Sequence, residues 1–496
     1  MKKAIGLLLT AVMAVGMVAT VSAENKAVEV EKHTFEAYKV FKGTQAEGKE
    51  QLGDLDWGGG VDPDKMLYEL KNDATLATIM ANCKTAQDVA EALKDVEDKS
   101  AVANAFAIVA SKCIVPGTGT TCVNHETTLD PGYYVVIDTT DVEGKADAKN
   151  AALLQLTNKK TFDIESKADV PSGEKEVANQ NDSYPDASTW SDAADYDIGD
   201  DVPFRVKATL PSNLAEYETY KLELIDTLSN GLTLNEDSLY VTLDGQNITG
   251  STGYTKTTSA TGFTITFSDI KKLGAKAGDV VMVEYTAKLN DQAEIGKVGN
   301  TNKFKVRFSN NPKDDGEGET PEKKVIVFTY KLVTDKVNNK QEALAGAGFT
   351  LYKWYYDENA EAKGSWKAVG AEVKGEQMTT FTWKGLDAGK YKLEETTIPA
   401  GYNKMKDIEF EIKATLGKDA STGEPTIIDL TATDKDGAVT FDKDESEGKI
   451  HTKVINQEGS TLPETGGMGT TIFYILGSLL ALGAGVLLVA RKRMNA

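Results

Sequence analysis

From Thr470 to Ala490 the chain runs for 21 residues without a charge, and Arg491-Lys492-Arg493 follow at once. As a helix this stretch is long enough to cross a hydrocarbon core of about 30 Å, and the basic triplet would hold its end on the cytoplasmic side. The other end of the chain agrees. Met1-Lys2-Lys3 is a basic start, Ala4 to Val18 is apolar, and Val21-Ser22-Ala23 supplies the small residues a signal peptidase prefers. Residues 1–23 are therefore expected to be a signal peptide, and the mature chain to begin near Glu24 outside the membrane.

Immediately before the apolar run stands Leu462-Pro463-Glu464-Thr465-Gly466. Motif, span and basic tail, in this order over 462–496, resemble the cell-wall sorting signal of Gram-positive surface proteins, in which a sortase transpeptidase cuts LPxTG between Thr and Gly. The resemblance implies that Thr465 is transferred by sortase, that peptidoglycan is the final anchor, and that the apolar helix holds the chain only until that step.

Without its apolar ends the chain keeps about 440 residues, enough for three domains of about 150. A formal net charge of −21 excludes nucleic acid as a partner, since phosphate binding needs clustered Lys and Arg, and suits a solvated extracellular surface. Three cysteines do not make a disulfide framework. Cys113 and Cys122 flank the Pro116-Gly117-Thr118-Gly119 turn and could close a small hairpin, leaving Cys83 as the odd thiol.

Residues 24–165 open with the alternating His33 to Phe41 segment, a strand pattern. The Ala-, Leu-, Glu- and Lys-rich stretch from Asp62 to Cys113, with Pro63 where a first helical turn tolerates it, predicts two or three helices. Strands return at Gly132–Ile137 and Ala152–Leu156, which makes this a sandwich domain with its helices in one insertion. Val170 to Glu174 has the polarity of a linker. In residues 168–322 alternation over Val202–Leu210, Tyr220–Leu228, Gly262–Phe267 and Asp279–Leu289, between Gly, Asn and Asp turns, predicts a β-sandwich. Asn310 to Gly318 is expected to be a surface excursion. A third domain, 323–458, is expected to open at Lys324–Tyr330 and close at His451–Asn456. The fold class is mostly β: tandem immunoglobulin-like sandwiches after an N-terminal domain with a helical insertion.

Several segments together resemble the shaft subunits of sortase-assembled Gram-positive pili. Tyr391-x-Leu393-x-Glu395-Thr396 with Pro399-Ala400-Gly401-Tyr402 is similar to the E-box of these pilins and of collagen-adhesin B-type domains. Lys331 to Val337 with Leu344 to Phe349 resembles the opening of the same domain. Asp226 to Leu232, and Gly299 to Asn302 leading to Phe308 through Pro312, match the middle domain.

The resemblance implies intramolecular isopeptide bonds, each formed when a Lys amine on a first strand attacks an Asn carboxamide on a last strand and ammonia leaves. An exposed ammonium is no nucleophile, whereas burial lowers its pKa and frees the lone pair. A neighbouring Glu or Asp in the same apolar pocket is kept protonated and can relay protons. In the third domain the trio carried over is Lys336, Asn456 and Glu395. In the second it is Lys175, Asn302 and Asp226, with Lys167 as rival lysine and Asn300 as rival carboxamide.

Polymerisation further requires a lysine that accepts Thr465 of another subunit. The family pattern W-x-x-x-V-x-V-Y-P-K is only partly present: Phe162-x-Ile164 followed by Lys167 keeps the alternation and the lysine but lacks the aromatic start and the Tyr-Pro pair. Lys167 comes first, then Lys159 and Lys160.

The expected partners are thus sortase, other copies of the chain, accessory pilins, peptidoglycan and a host surface ligand. A monomeric wall-anchored adhesin that binds a host protein or glycan is the alternative. No HExxH, GxSxG, P-loop, GxGxxG or CxxC is present. The three histidines, His33, His125 and His451, are scattered and expected at the surface. No enzyme activity, cofactor or metal is expected; Asp54, Asp56, Asp62 and Asp64 lack a calcium-loop spacing.

Overall fold

The fold is known from a computed structural model, which describes residues 33–45, 52–97, 100–123, 127–150, 153–157, 168–185, 188–249, 253–459 and 469–494. Residues 1–23, expected to be a signal peptide, Leu462 to Gly466, His125, Lys159, Lys160 and Lys167 lie outside them.

In the first unit the long strand Phe35–Gln45 pairs antiparallel with Leu52–Trp57, Thr120–Cys122 and Gly132–Asp138, and the last of these with Leu153–Thr157. Caps divide the Ala-rich stretch into four helices rather than two or three. Asp62 accepts from the amides of Asp64 and Lys65 and starts Pro63–Asn72. Thr85 and Asp88 form a capping box for Ala86–Leu93, and Ser100 caps Ala101–Lys112; Ala77–Met80 is a single uncapped turn. Met66, Leu70, Val89, Phe106 and Ala110 from these helices pack on Val40, Phe41, Tyr133 and Val135. Among the described residues the unit therefore has one sheet, with helices on the face where a second sheet was expected.

The hairpin disulfide is not formed: Cys113 and Cys122 are both free. Cys113 ends the last helix and packs in the core between helices and sheet. Cys122 packs with Phe35, Ala37, Tyr134 and Val136 in a separate cluster. Burial pushes both thiols up to about 11. His33 also departs from expectation: its side chain is buried against Asp138 rather than solvated.

The middle unit is a sandwich of two seven-stranded sheets. Phe204, Val206, Val283 and Tyr285 line one inner face, and Leu222, Leu224, Ile265, Phe304 and Val306 the other. Ser172-Gly173-Glu174 is not linker but the start of the strand Ser172–Asn179, paired with Asp201–Thr209. Asn310 to Gly318 is no free excursion either. The Asn310 carboxamide donates to Val142 O at 2.6 Å, Gly144 N to Glu317 O at 2.8 Å and Glu319 N to Lys145 O at 3.1 Å, which fastens the first unit to the second.

The third unit packs a four-stranded sheet on a six-stranded one. Its own first strand is Tyr330–Asn338. Lys323–Phe328, expected to open this domain, pairs instead with Asn300–Ser309 and Ala193–Asp195 of the middle unit. The reason is visible in its side chains: Val325 and Val327 enter the middle core, while Ile326 and Phe328 enter the third. A strand buried on both faces reads as an unbroken apolar run and gives no hint of its sheet. Gly469–Met494 forms a helix whose stretch Ile472–Arg493 is long and apolar enough to cross a membrane, and its apolar side chains are uncovered.

Candidate functional site

Strand alternation puts polar residues into several apolar rows. Burying a Val, Leu or Phe side chain contributes about 1.5–3 kcal/mol, so a charged group in the same row forgoes that gain and adds a desolvation cost. In Leu222–Leu228 the inward row ends with Leu224, Asp226 and Leu228. In Asn300–Ser309 it is Asn300, Asn302, Phe304, Val306 and Phe308. These strands are neighbours, with Leu228 opposite Asn302 and Asp226 opposite Phe304, so Asp226 and Asn302 lie diagonally on one face.

Lys175 reaches them from the facing sheet, on the inward row Gly173, Lys175 and Val177. Its side chain and that of Asp226 are 0% exposed, and its amine donates to Asp226 Oδ2. The same amine donates to the Tyr285 hydroxyl at 2.8 Å and lies 5.5 Å from the ring centres of Phe204 and Tyr285. Asn302 Nδ2 donates to that hydroxyl at 2.9 Å. Burial drives Lys175 below the usual lysine range against the pull of Asp226. It drives Asp226 upward against Lys175 and Tyr285. Both shifts favour a neutral amine beside a neutral acid over a buried ion pair.

Tyr285 was not singled out from the sequence, although it occupies the inward row Val281, Val283, Tyr285, Ala287 and Leu289. A lone hydroxyl in such a row was the available signal. Asn300, the rival carboxamide, is otherwise engaged: Oδ1 accepts from Glu294 N at 2.9 Å, and Nδ2 donates to Glu294 O and Val327 O, both at 3.1 Å.

In the third unit Tyr330–Asn338 and Lys449–Asn456 are parallel neighbours, with Lys336 opposite Val454 and Asn338 opposite Asn456. The inward alternation Ile450, Thr452, Val454, Asn456 places the carboxamide beside Lys336 on one face. Glu395 comes from the other sheet, two positions beyond Leu393 on the inward row of Gly389–Thr397. All three are buried. Glu395 accepts from Asn456 Nδ2 at 2.8 and 3.0 Å through its two oxygens, and Met405 N donates to Oε2 at 2.9 Å. Lys336 Nζ donates to Val337 O at 3.1 Å and Val454 O at 3.3 Å. Burial pushes it down to about 8, opposed only by Glu395. Asn456 Oδ1, Asn302 Oδ1 and Asp226 Oδ1 are buried without a hydrogen-bond partner. Both clusters thus hold an amine with a depressed pKa, a carboxyl group and a carboxamide buried in an apolar core, the groups an amide-forming condensation needs.

Elsewhere, His451 lies between Asp335 at 2.9 Å and Asp442 at 3.7 Å. Asp56 pairs with Lys42, and Asp62 is spent on its helix cap.

Comparison with known proteins defines first a class: a wall-anchored surface protein built from Cna-B-like and prealbumin-like domains. Residues 198–312 match the family described as Gram-positive pilin backbone subunit 2, Cna-B-like domain. Residues 331–426 match the SpaA prealbumin-like fold domain, and 455–495 the LPXTG cell wall anchor motif. Over these segments the chain is similar to backbone pilins of Gram-positive bacteria. It is 25% identical over 401 residues to the trypsin-resistant surface T6 protein of Streptococcus pyogenes serotype M6, covering 66% of this chain and 70% of that one. The solved T6 backbone pilin, described as a modular three-domain structure, superposes with a TM-score of 0.51 at 19% identity, over 86% of this chain and 96% of that one. The full-length major pilin SpaD from Corynebacterium diphtheriae gives a TM-score of 0.44 at 19% identity, over 86% and 93%.

Proposed function

We propose that this chain is the repeating shaft subunit of a covalent pilus, that its second and third domains are each closed by a Lys–Asn isopeptide bond, and that sortase joins its Thr465 to Lys167 of the next subunit. The observation that carries the intramolecular chemistry is the burial of Lys175 and Lys336 in apolar cores, each with a carboxyl group and a carboxamide at hand.

In each domain a neutral Lys Nζ attacks Cγ of the asparagine, the Cγ–Nδ2 bond breaks, and the amine gives up one proton. The leaving nitrogen takes up one proton and departs as ammonia. Glu395, hydrogen-bonded to Nδ2 of Asn456, is placed to hand over that proton and be reprotonated from the amine. In the middle domain the relay is divided: Asp226 stands on the amine and Tyr285 on both the amine and the leaving nitrogen. Each bond ties two strands of a sandwich covalently, so tension passes through it instead of unzipping a sheet.

Between subunits, sortase would cleave after Thr465 and deliver the acyl group to the Lys167 amine, and the last subunit would be delivered to peptidoglycan. Accessory pilins and a host surface ligand complete the expected partners. The deciding experiment is co-expression with the cognate sortase. A ladder of high-molecular-weight species on a denaturing gel, lost in Lys167→Arg, supports the proposal, because arginine keeps its proton and cannot attack the acyl-enzyme. A full ladder in that variant shifts the acceptor to Lys159 or Lys160, and a single band from the unaltered chain means a monomeric adhesin.

A further inference from the structure

A third lysine is buried as completely as the other two and has the opposite electrostatics. Lys353, on Gly348–Tyr356, has a 0% exposed side chain. Its Nζ lies 2.6 Å from Asp197 Oδ2, 2.7 Å from Asp387 Oδ1 and 3.1 Å from Asp182 Oδ2. Asp387 belongs to the third domain, in the turn before Gly389–Thr397. Asp182 and Asp197 belong to the arm of the middle domain between Asn179 and Asp201.

The same two segments are stitched together by backbone. Asp387 N donates to Asp197 Oδ1 at 2.9 Å, Ala388 N to Asp195 Oδ2 at 2.7 Å and Lys390 N to Ser183 Oγ at 2.9 Å. In addition, Ser183 Oγ donates to Trp354 O and Asn181 Nδ2 to Ala388 O, both at 2.8 Å. Ile198 N reaches Gly385 O at 3.0 Å and Tyr356 N reaches Asp182 O at 2.7 Å.

We infer that Lys353 is an ionic lock that fixes the third domain on the middle domain, its ammonium drawing together carboxylates that belong to both. Asp182, Asp197, Asp200 and Asp387 crowd within 4.8 Å of one another; such a group repels itself unless a proton or a cation stands among them, and burial with this crowding raises Asp387 and brings Asp200 up to about 6. Lys353 is that cation, supplied by the chain itself. Burial opposes its charge, but Asp387, Asp197 and Asp182 outweigh burial and raise its pKa. It therefore stays an ammonium and does not become a nucleophile as Lys175 and Lys336 can. A lock of this kind sets the angle between two modules without any covalent step, and it is independent of whether the isopeptide bonds form.

The test is hydrogen exchange on the full ectodomain carrying Lys353→Met, with Asp182→Asn as a second variant. Asp182 is 40% exposed, so its replacement leaves the core intact even where Lys353→Met folds poorly. The expected result is exchange at least tenfold faster at the amides of Ile198, Tyr356, Asp387, Ala388 and Lys390 in Lys353→Met, and a smaller change of the same sign in Asp182→Asn. The amides of Val280–Leu289 should keep their rates. Unchanged exchange at the junction in both variants overturns the lock. Uniform loosening of both domains does so too, since it marks an ordinary core residue. A loss of about 18 Da mapping to the Lys353 peptide, water released by amide formation with an aspartate, would show a covalent bond in place of an ionic one.

Discussion

Lys175 and Asn302 meet through a single oxygen, the Tyr285 hydroxyl, which accepts from Lys175 Nζ at 2.8 Å and from Asn302 Nδ2 at 2.9 Å. Amine and carboxamide are thereby held on one hydroxyl, and the amine also donates to Asp226. Tyr285→Phe should keep the fold, since only the oxygen is removed, and should slow bond formation in the middle domain. Asp226→Ala should stop it. Intact mass of the freshly purified ectodomain reads both: about 34 Da below the sequence mass for the unaltered protein, if each bond releases one ammonia of about 17 Da, and about 17 Da for Asp226→Ala. A deficit of about 34 Da in Asp226→Ala would remove this aspartate from the chemistry.

Glu395 is the corresponding acid in the third domain. Glu395→Gln preserves size and one acceptor for Asn456 but has no proton to give, so the third-domain ammonia loss should disappear while Lys336 and Asn456 remain unjoined. Peptide mapping distinguishes this from loss in the middle domain. A cross-linked Lys336–Asn456 peptide from this variant would show that another group relays the proton.

The bond between Lys336 and Asn456 would enclose about 120 residues, and a cross-link over a loop of that length is worth about 5 kcal/mol of chain entropy. Lys336→Met retains an apolar stem of similar size and removes the bond. Its third-domain melting transition should fall by on the order of 15–25 °C at a few degrees per kcal/mol. Asn456→Ala should give a similar fall, and a change of a few degrees in both would mean that no cross-link was lost.

His33 Nδ1 donates to Asp138 at 2.6 Å, and Asp138 also accepts from Asn150 N and Nδ2 at 2.9 and 2.8 Å. The Asp138 hydrogen bond, working against burial, raises the His33 pKa. Burial works against Asp138, but these hydrogen bonds bring it down to about 2. A raised histidine stabilises the folded state below its unfolded value near 6.5 and loses that contribution as pH rises through the folded value. A depressed aspartate loses its contribution as pH falls toward about 2. First-domain stability should therefore decline above neutral pH in the unaltered protein and stay flatter there in His33→Gln, as thermal melts from pH 5 to pH 9 would reveal. Identical profiles would show that the pair is energetically silent.

All three cysteines are free, and alkylation of the denatured, unreduced ectodomain should add three equivalents. In the native protein the buried thiols, raised by burial, should react far more slowly. One equivalent after denaturation would signal a disulfide.

Strand alternation made most of the two sandwiches legible, because a half-buried strand writes its face into every second residue, as in Asn300–Ser309 and Gly389–Thr397. Lys175, Asp226, Asn302, Lys336, Glu395 and Asn456 came into view through the pilin-like strings around them, and the alternation of their strands accounts for their inward placement. Alternation failed where that periodicity is absent or answers to a distant partner. Lys323–Phe328 faces two cores and has no polar side to mark its sheet. Asn310 to Gly318 is polar because it binds backbone of the first unit, not because it is solvated. Tyr285 passed as an ordinary aromatic core residue, since nothing local reports that its oxygen meets two side chains from other strands. Lys353 was hidden likewise, its three carboxylates lying 34 to 171 positions away in sequence.

Only Thr329 separates Lys323–Phe328 from Tyr330–Asn338, and the first of these strands lends one face to each neighbouring core. Close by, Gly296 and Gly448 touch backbone to backbone: a methyl group on Gly296 would come within 2.6 Å of Glu447 C, and one on Gly448 within 2.7 Å of Gly296 Cα. There is no slack here to be drawn out. A fibre assembled from such subunits has no spring at this point along its length, so a pull must be met by bending elsewhere or borne whole.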